Sequence, residues 1–122
     1  MYAKLINLTP HAITIYEGDR VLTTVERHGA VARVKVTRTT RGSLDIGEPK
    51  RRTGDTWPEV PLSVPAFGQV EDLPEPVGDT YFIVSALVRE AVKYRSDVLS
   101  PGEPIRNDAG VIIGCRGLDA NP

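Results

Sequence analysis

The chain has 122 residues, 40% apolar and 25% charged, with a formal net charge of −1. That is the length of one domain with room for a single core, and the near-neutral balance argues against general nucleic-acid binding. A single cysteine, Cys115, excludes an intrachain disulfide and a thiolate zinc cluster. The longest apolar runs, YFIV (81–84) and VII (111–113), fall far short of the ~20 residues that cross a bilayer, so no membrane segment is expected. The N-terminus MYAKLINL lacks a basic segment followed by a long apolar one. No signal peptide is expected, and the cytoplasm is the default compartment.

In chain order, AKLINL alternates, with Ile6 and Leu8 on one side and Leu5, Asn7 and Thr9 on the other. The segment TPH links it to AITIY, where Ile13 and Ile15 share a face. EGDR (17–20) is a turn signal and VLTTV follows, so 12–25 reads as a hairpin. AVARVKVTRTT (30–40) sets Ala32, Val34 and Val36 against Arg33, Lys35 and Thr37, which predicts a half-buried strand with a basic outer face. Residues 41–79 hold six prolines, a density that disfavours helix and interior strand. VPLSVPAFGQVEDL is expected to contain only short, proline-bounded strands. The tip GEPKRRTGD is expected to be exposed, and Trp57 to anchor this long excursion to the body.

TYFIV (80–84) is a continuous run of β-formers and predicts a central strand. It leads through Ser85, a natural N-cap, into ALVREAVKY, expected to be the one substantial helix. There Leu87, Val88, Ala91, Val92 and Tyr94 form an apolar stripe, and Arg89, Glu90 and Lys93 face outward. SPGEP (100–104) has the Pro–Gly order of a type II turn. IRNDAGVIIGCRGL reads as a hairpin around NDAG, with Val111, Ile113 and Cys115 on one face.

Charge is unevenly spread. Residues 33–52 hold seven bases and two acids, and residues 53–79 hold six acids and no base. The blocks either neutralise each other or leave a basic face for an anionic partner. The two histidines, His11 and His28, have no metal-ligand spacing, so no metal and no cofactor are expected. Cys115 on an apolar face reads as core packing rather than as a nucleophile. Ser85 lacks the glycine-flanked elbow of hydrolases. No catalytic residue is assigned, and the protein leans away from being an enzyme.

An anion site is the better-supported chemistry. The strand-to-helix junction at Ser85 would expose free amides, and the chain supplies arginines whose guanidinium forks suit phosphate. Asn7, Thr9, His11, Arg41, Arg51, Ser85, Arg106 and Arg116 are the candidate ligand-binding residues. Asn7, Thr9 and His11 form a donor row if their face of the first strand is open, and a hydrogen-bonded strand end if it is buried.

INLTPHAITIY near the N-terminus, together with YFIVSALVREA and SDVLSPGEPIRNDAGVIIGCRGL near the C-terminus, resembles a family of small bacteriophage and prophage proteins of unassigned function. The resemblance covers about half the chain and omits the proline-rich middle. It implies a phage–host setting, in which small proteins serve as virion parts, host-takeover factors or counter-defence proteins that sequester or cleave nucleotide immune signals.

The expected fold is a β-dominated α+β single domain, 1–122: a curved antiparallel or mixed sheet or small barrel of about six or seven strands with one packed helix. The expected function is non-enzymatic binding of a small anionic, nucleotide-like ligand in the host cytoplasm, as a sponge for a nucleotide immune signal. The alternatives are a phosphodiesterase or hydrolase using His11 as acid and base, and a structural or protein-interaction module. A homo-oligomer is left open.

Overall fold

The computed structural model describes residues 2–47 and 58–122. Arg51, Arg52, Trp57 and most of the expected exposed tip lie outside the described residues. The described chain divides into two compact units, a body (Met1–Val34 and Gln69–Pro122) and a ribbon (Lys35–Gly68). It is β-dominated, with one short helix.

In the body, β1 (Lys4–Asn7), β2 (Ile13–Glu17), β3 (Arg20–Val25), β6 (Thr80–Ile83), β7 (Val98–Arg106) and β8 (Ile112–Ala120) form one mixed sheet. Its order is β1-β6-β7-β8-β2-β3. Three neighbouring pairs are parallel, β1 with β6, β6 with β7 and β2 with β8, while β7–β8 and β2–β3 are antiparallel. The sheet curls strongly into a half-barrel. Its two end strands, β1 and β3, come together at one point, a parallel bridge between Asn7 and Arg27.

Alternation along each strand splits the apolar side chains into two cores. Ile6, Leu8, Phe82, Val84 and Val98 pack on one side against α1 (Ala86–Ala91), Ala32 and Val34. Ile13, Ile15, Ile83 and Cys115, with Leu5, Val25 and Leu118, fill the other. The first strand therefore meets the helix with its Ile6/Leu8 face and turns Leu5 and Asn7 to the opposite core. β6 contributes to both, with Phe82 on one side and Ile83 on the other, which is why TYFIV is a continuous apolar run. Cys115 is 3% exposed and lies among the isoleucines, as expected of a packing thiol.

The helix is shorter than its sequence stripe suggests. It spans six residues, Ser85 caps it by accepting the Val88 amide proton at 3.3 Å, and only Val88 and Val92 of the stripe are buried. Leu87 and Tyr94 are exposed. Arg89, expected to face outward, is instead drawn across the helix. Its Nε donates to Ser100 Oγ at 2.8 Å, deep in the body, and its Nη1 to Asn121 Oδ1 at 3.3 Å. Asn121 in turn donates to the carbonyls of Val92 (3.1 Å), which also accepts the Arg95 amide, and of Arg95 (3.0 Å), just past the end of the helix. Asn121, just past β8, thus closes the end of the described helix.

SPGEP is not a turn. β7 runs straight through it, pairing Pro101 with Leu118 and Glu103 with Arg116. Gly102 lacks the positive φ that the third position of a type II turn requires. It is needed for proximity instead, because a Cβ there would run into the Arg116 carbonyl of β8.

In the ribbon, β4 (Arg33–Asp45) pairs with β5 (Glu59–Glu71) as a separate two-stranded sheet. Thr37 reaches the Ala66 carbonyl and Ser43 reaches Glu59, so partner positions run in opposite directions and the pair is antiparallel. The half-buried alternation predicted for 30–40 ends at Val34, and β4 is exposed from Lys35 onward. β5 is one thirteen-residue strand despite containing Pro61 and Pro65. A strand with a partner on one side only has a free edge, and a residue without an amide proton is tolerated there.

Candidate functional site

β1 and β6 run parallel, so their C-terminal ends lie side by side. β1 then leads through buried Leu8 into the loop ending at Ala12, and β6 through buried Val84 into Ser85. In open parallel sheets the space beyond such ends is where ligands collect, because the chain leaves the sheet there and exposes loop groups. Here that space is a groove of about 450 Å³, within the range of small-ligand sites. Its wall is mostly apolar, with Pro10, Val31 and Leu87 prominent, and its polar groups are Thr9, Ser85 and Arg33.

Asn7 holds the loop that forms one wall. It is fully buried, and its amide is saturated. Nδ2 donates to the carbonyls of His11 (2.8 Å) and Val25 (3.0 Å), while Oδ1 accepts from the Thr9 amide (2.9 Å) and the Thr9 hydroxyl (2.6 Å). Its carbonyl also accepts the His28 amide. One side chain therefore ties β1 to the end of β3 and folds residues 7–11 back on themselves. This pin closes the half-barrel at the Asn7–Arg27 bridge and sets Thr9 and Pro10 facing Ser85. Asn7 itself has no hydrogen bond left for a ligand.

The eight candidates from the sequence do not form one cluster. Thr9 and Ser85 line the same groove, and Asn7 supports it from below. The side chain of His11 is exposed and lies at the rim of a different cleft of about 530 Å³, lined by Ile13, Pro104 and Ile113. Arg106 is spent on the Gly110 carbonyl of its own hairpin turn, at 2.8 Å. Arg116 faces Glu103 across β7 and β8 at 3.7 Å, an exposed pair worth little. Arg41 belongs to the ribbon, and Arg51 lies outside the described residues.

Arg33 is not among the sequence candidates, because it sits on the polar side of an alternating strand. Its signal was its position between Ala32 and Val34, which anchor the start of β4 in the core. It makes no ion pair or hydrogen bond among the described residues. The Ser85 helix start gives less than the sequence suggested. A six-residue helix has a small dipole, and the Ser85 hydroxyl is already engaged with the Val88 amide.

Elsewhere the main charged feature is structural. Arg95 grips Asp97 through two hydrogen bonds (3.0 and 2.7 Å) and donates a third to the Pro74 carbonyl (2.9 Å). The side chains are 10% and 17% exposed. The Arg95 hydrogen bonds hold the Asp97 carboxyl below its ordinary pKa against the cost of burial, and Asp97 in turn raises that of Arg95. Among the described residues no three His, Cys, Asp or Glu side chains converge to hold a metal, and no helix is long and apolar enough to cross a membrane. No family model, curated protein or solved structure matches the chain.

Proposed function

We propose that the groove between the 8–12 loop and the β6–α1 junction binds a small anionic, nucleotide-like ligand, and that the protein holds this ligand without converting it. The observation that carries the reading is Arg33, a guanidinium with no ionic partner among the described residues, at the edge of an apolar groove lined also by Ser85, whose hydroxyl accepts from Val88 and keeps its proton to donate, and by Thr9, whose hydroxyl proton is committed to Asn7 and His11. Guanidinium recognises phosphate through paired N–H donors. Apolar walls of this size suit a flat base or a ribose. Among the described residues the groove is lined by no carboxylate, histidine, lysine or thiol, so these offer it charge and shape but no group to move a proton. That favours holding over hydrolysis. In the phage setting implied by the sequence resemblance, the consequence would be withdrawal of an intact nucleotide signal from its receptor.

Calorimetry against nucleoside monophosphates and diphosphates, cyclic dinucleotides and ADP-ribose tests this. At least one is expected to give saturable heat that Arg33→Gln abolishes, and to be recovered chemically intact after heat denaturation of the complex. No heat with any of them, or heat indifferent to Arg33→Gln, overturns the reading. Catalytic loss of the nucleotide would make the protein a hydrolase instead.

A further inference from the structure

We infer that the cleft between the starts of β2 and β8 is a second ligand site, which takes a small amphiphile with a compact apolar body and a single acceptor group such as a carboxylate. The strand pairing explains why the cleft exists. β2 and β8 pair at Ile15–Cys115 and Tyr16–Arg116. Ahead of that point the ladders run to the other neighbours. Ile13 and Thr14 pair with Val25 and Thr24 of β3, and Ile112 and Gly114 with Arg106 and Ile105 of β7. A wedge of about 530 Å³ is left at the two strand starts, on the scale of a small-molecule site. The open end of a curled sheet is also where small barrels hold a ligand.

The lining sets the chemistry of the ligand. Buried Ile13 and Cys115 line the cleft with Pro104 and the half-exposed Ile112 and Ile113, a surface that suits an apolar body. No lysine, arginine, aspartate or glutamate lines it among the described residues, so an anionic head meets no like charge there. Its two polar side chains differ in what they have left to give. The Thr14 hydroxyl is engaged with that of Thr24 at 3.1 Å. The His11 imidazole makes no hydrogen bond among the described residues, yet the backbone that carries it is fixed. The His11 carbonyl accepts from both Asn7 Nδ2 (2.8 Å) and the Thr9 hydroxyl (3.0 Å). The pin that shapes the first groove thus also holds an imidazole at the rim of this cleft. An imidazole keeps at least one N–H to donate in either protonation state, so the group it recognises is an acceptor. One polar contact above an apolar lining fixes the orientation of a small amphiphile.

Titration of the full chain with 2-naphthoate, followed by calorimetry and by NMR of the isoleucine methyl groups, tests the inference. Saturable binding is expected, with shifts at Ile13, Ile112 and Ile113 and none at Ile46 of the ribbon. His11→Ala should weaken binding about tenfold through loss of the donor. Ile113→Asp should abolish it, since it sets a like charge against the carboxylate at a half-exposed position. Arg33→Gln should leave it unchanged and nucleoside phosphates should not compete, because the groove at Arg33 has a different set of lining residues. Circular dichroism checks that the variants remain folded, and the methyl shifts of the wild type need no variant at all. No saturable binding, shifts that bypass Ile13, Ile112 and Ile113, or binding indifferent to His11→Ala or to Ile113→Asp overturns the inference. Loss of binding in Arg33→Gln, or displacement by a nucleotide, would place the naphthoate in the other groove and overturns it as well.

Discussion

Replacing Asn7 probes the pin that shapes both the half-barrel and the candidate groove. Asn7→Ala removes four side-chain hydrogen bonds from a fully buried position and takes their partner from the Val25 carbonyl and the Thr9 amide, while the His11 carbonyl keeps the Thr9 hydroxyl at 3.0 Å. At a net contribution of about 1 kcal/mol per bond, the loss is about 4 kcal/mol. That is a large part of the 5–15 kcal/mol that domains typically hold in reserve. For a chain of 122 residues it corresponds to a fall in Tm of about 15 °C. Thermal unfolding by circular dichroism reads this directly, with urea melts giving the free energy. Thr9→Val removes only the hydroxyl and should cost about 1 kcal/mol. Asn7→Ala combined with Thr9→Val should cost less than the two losses added, because the Thr9 hydroxyl bonds to the Asn7 side chain.

Asn7→Asp sharpens the test because it is nearly isosteric. The acceptor for Thr9 survives, but the donor is replaced by an anionic oxygen facing two carbonyl oxygens. Burial and those carbonyls would push the introduced carboxyl above its ordinary pKa, so the folded form of the variant binds the proton more tightly than the unfolded chain. Stability then falls as pH rises through that interval, and the variant should recover as the solution is acidified from neutral. A loss from Asn7→Ala below about 1 kcal/mol, or an Asn7→Asp variant whose deficit is independent of pH, would show that the amide is not the pin described here.

The wild type should respond to acid in the opposite sense through Asp97. Its carboxyl is held below its ordinary value by Arg95, so its contribution is full above about pH 3.9 and is lost as the pH falls through the folded-state value; acid melts of wild type and Asp97→Asn should converge at low pH. Arg89→Ala leaves the buried Ser100 hydroxyl without its partner and frees Asn121, and should cost about 2 kcal/mol in urea melts. Gly102→Ala forces β7 and β8 apart where a Cβ meets the Arg116 carbonyl, and should cost about 2–3 kcal/mol with loss of amide protection along that pair by hydrogen exchange. Arg33→Gln lies at the groove edge and should leave Tm within about 2 °C of wild type while removing ligand heat.

What could be read from the sequence follows from which interactions are local. Period-two alternation located β1, the β2–β3 hairpin and the β7–β8 hairpin, and the continuous run at Thr80–Val84 located the central strand. In each case the pattern records the side chain's own burial, a property each residue carries by itself. The misreadings came from residues whose role is set by a distant partner. Pro101–Gly102 has the local form of a turn, but Gly102 serves the approach of β8, fourteen residues on. Arg89 sits on the polar side of a helical stripe, yet its partners are Ser100 and Asn121. Pro61 and Pro65 argue against an interior strand, and do not distinguish a loop from a ribbon with free edges. The candidate site divides in the same way. Ser85 was legible because capping is local. The saturation of Asn7 depends on Val25, eighteen residues away, and alternation alone left its face undecided between open and buried. Arg33 was illegible as a groove residue because nothing local marks which turn-forming segment a strand's first polar side chain will meet. The groove is built from three segments far apart in the chain, 8–10, 31–34 and 85–88, and only the parallel pairing of β1 with β6 brings the first beside the last. A site of that kind is a property of topology. Disrupting the β1–β6 register should therefore abolish binding even when every groove side chain is retained.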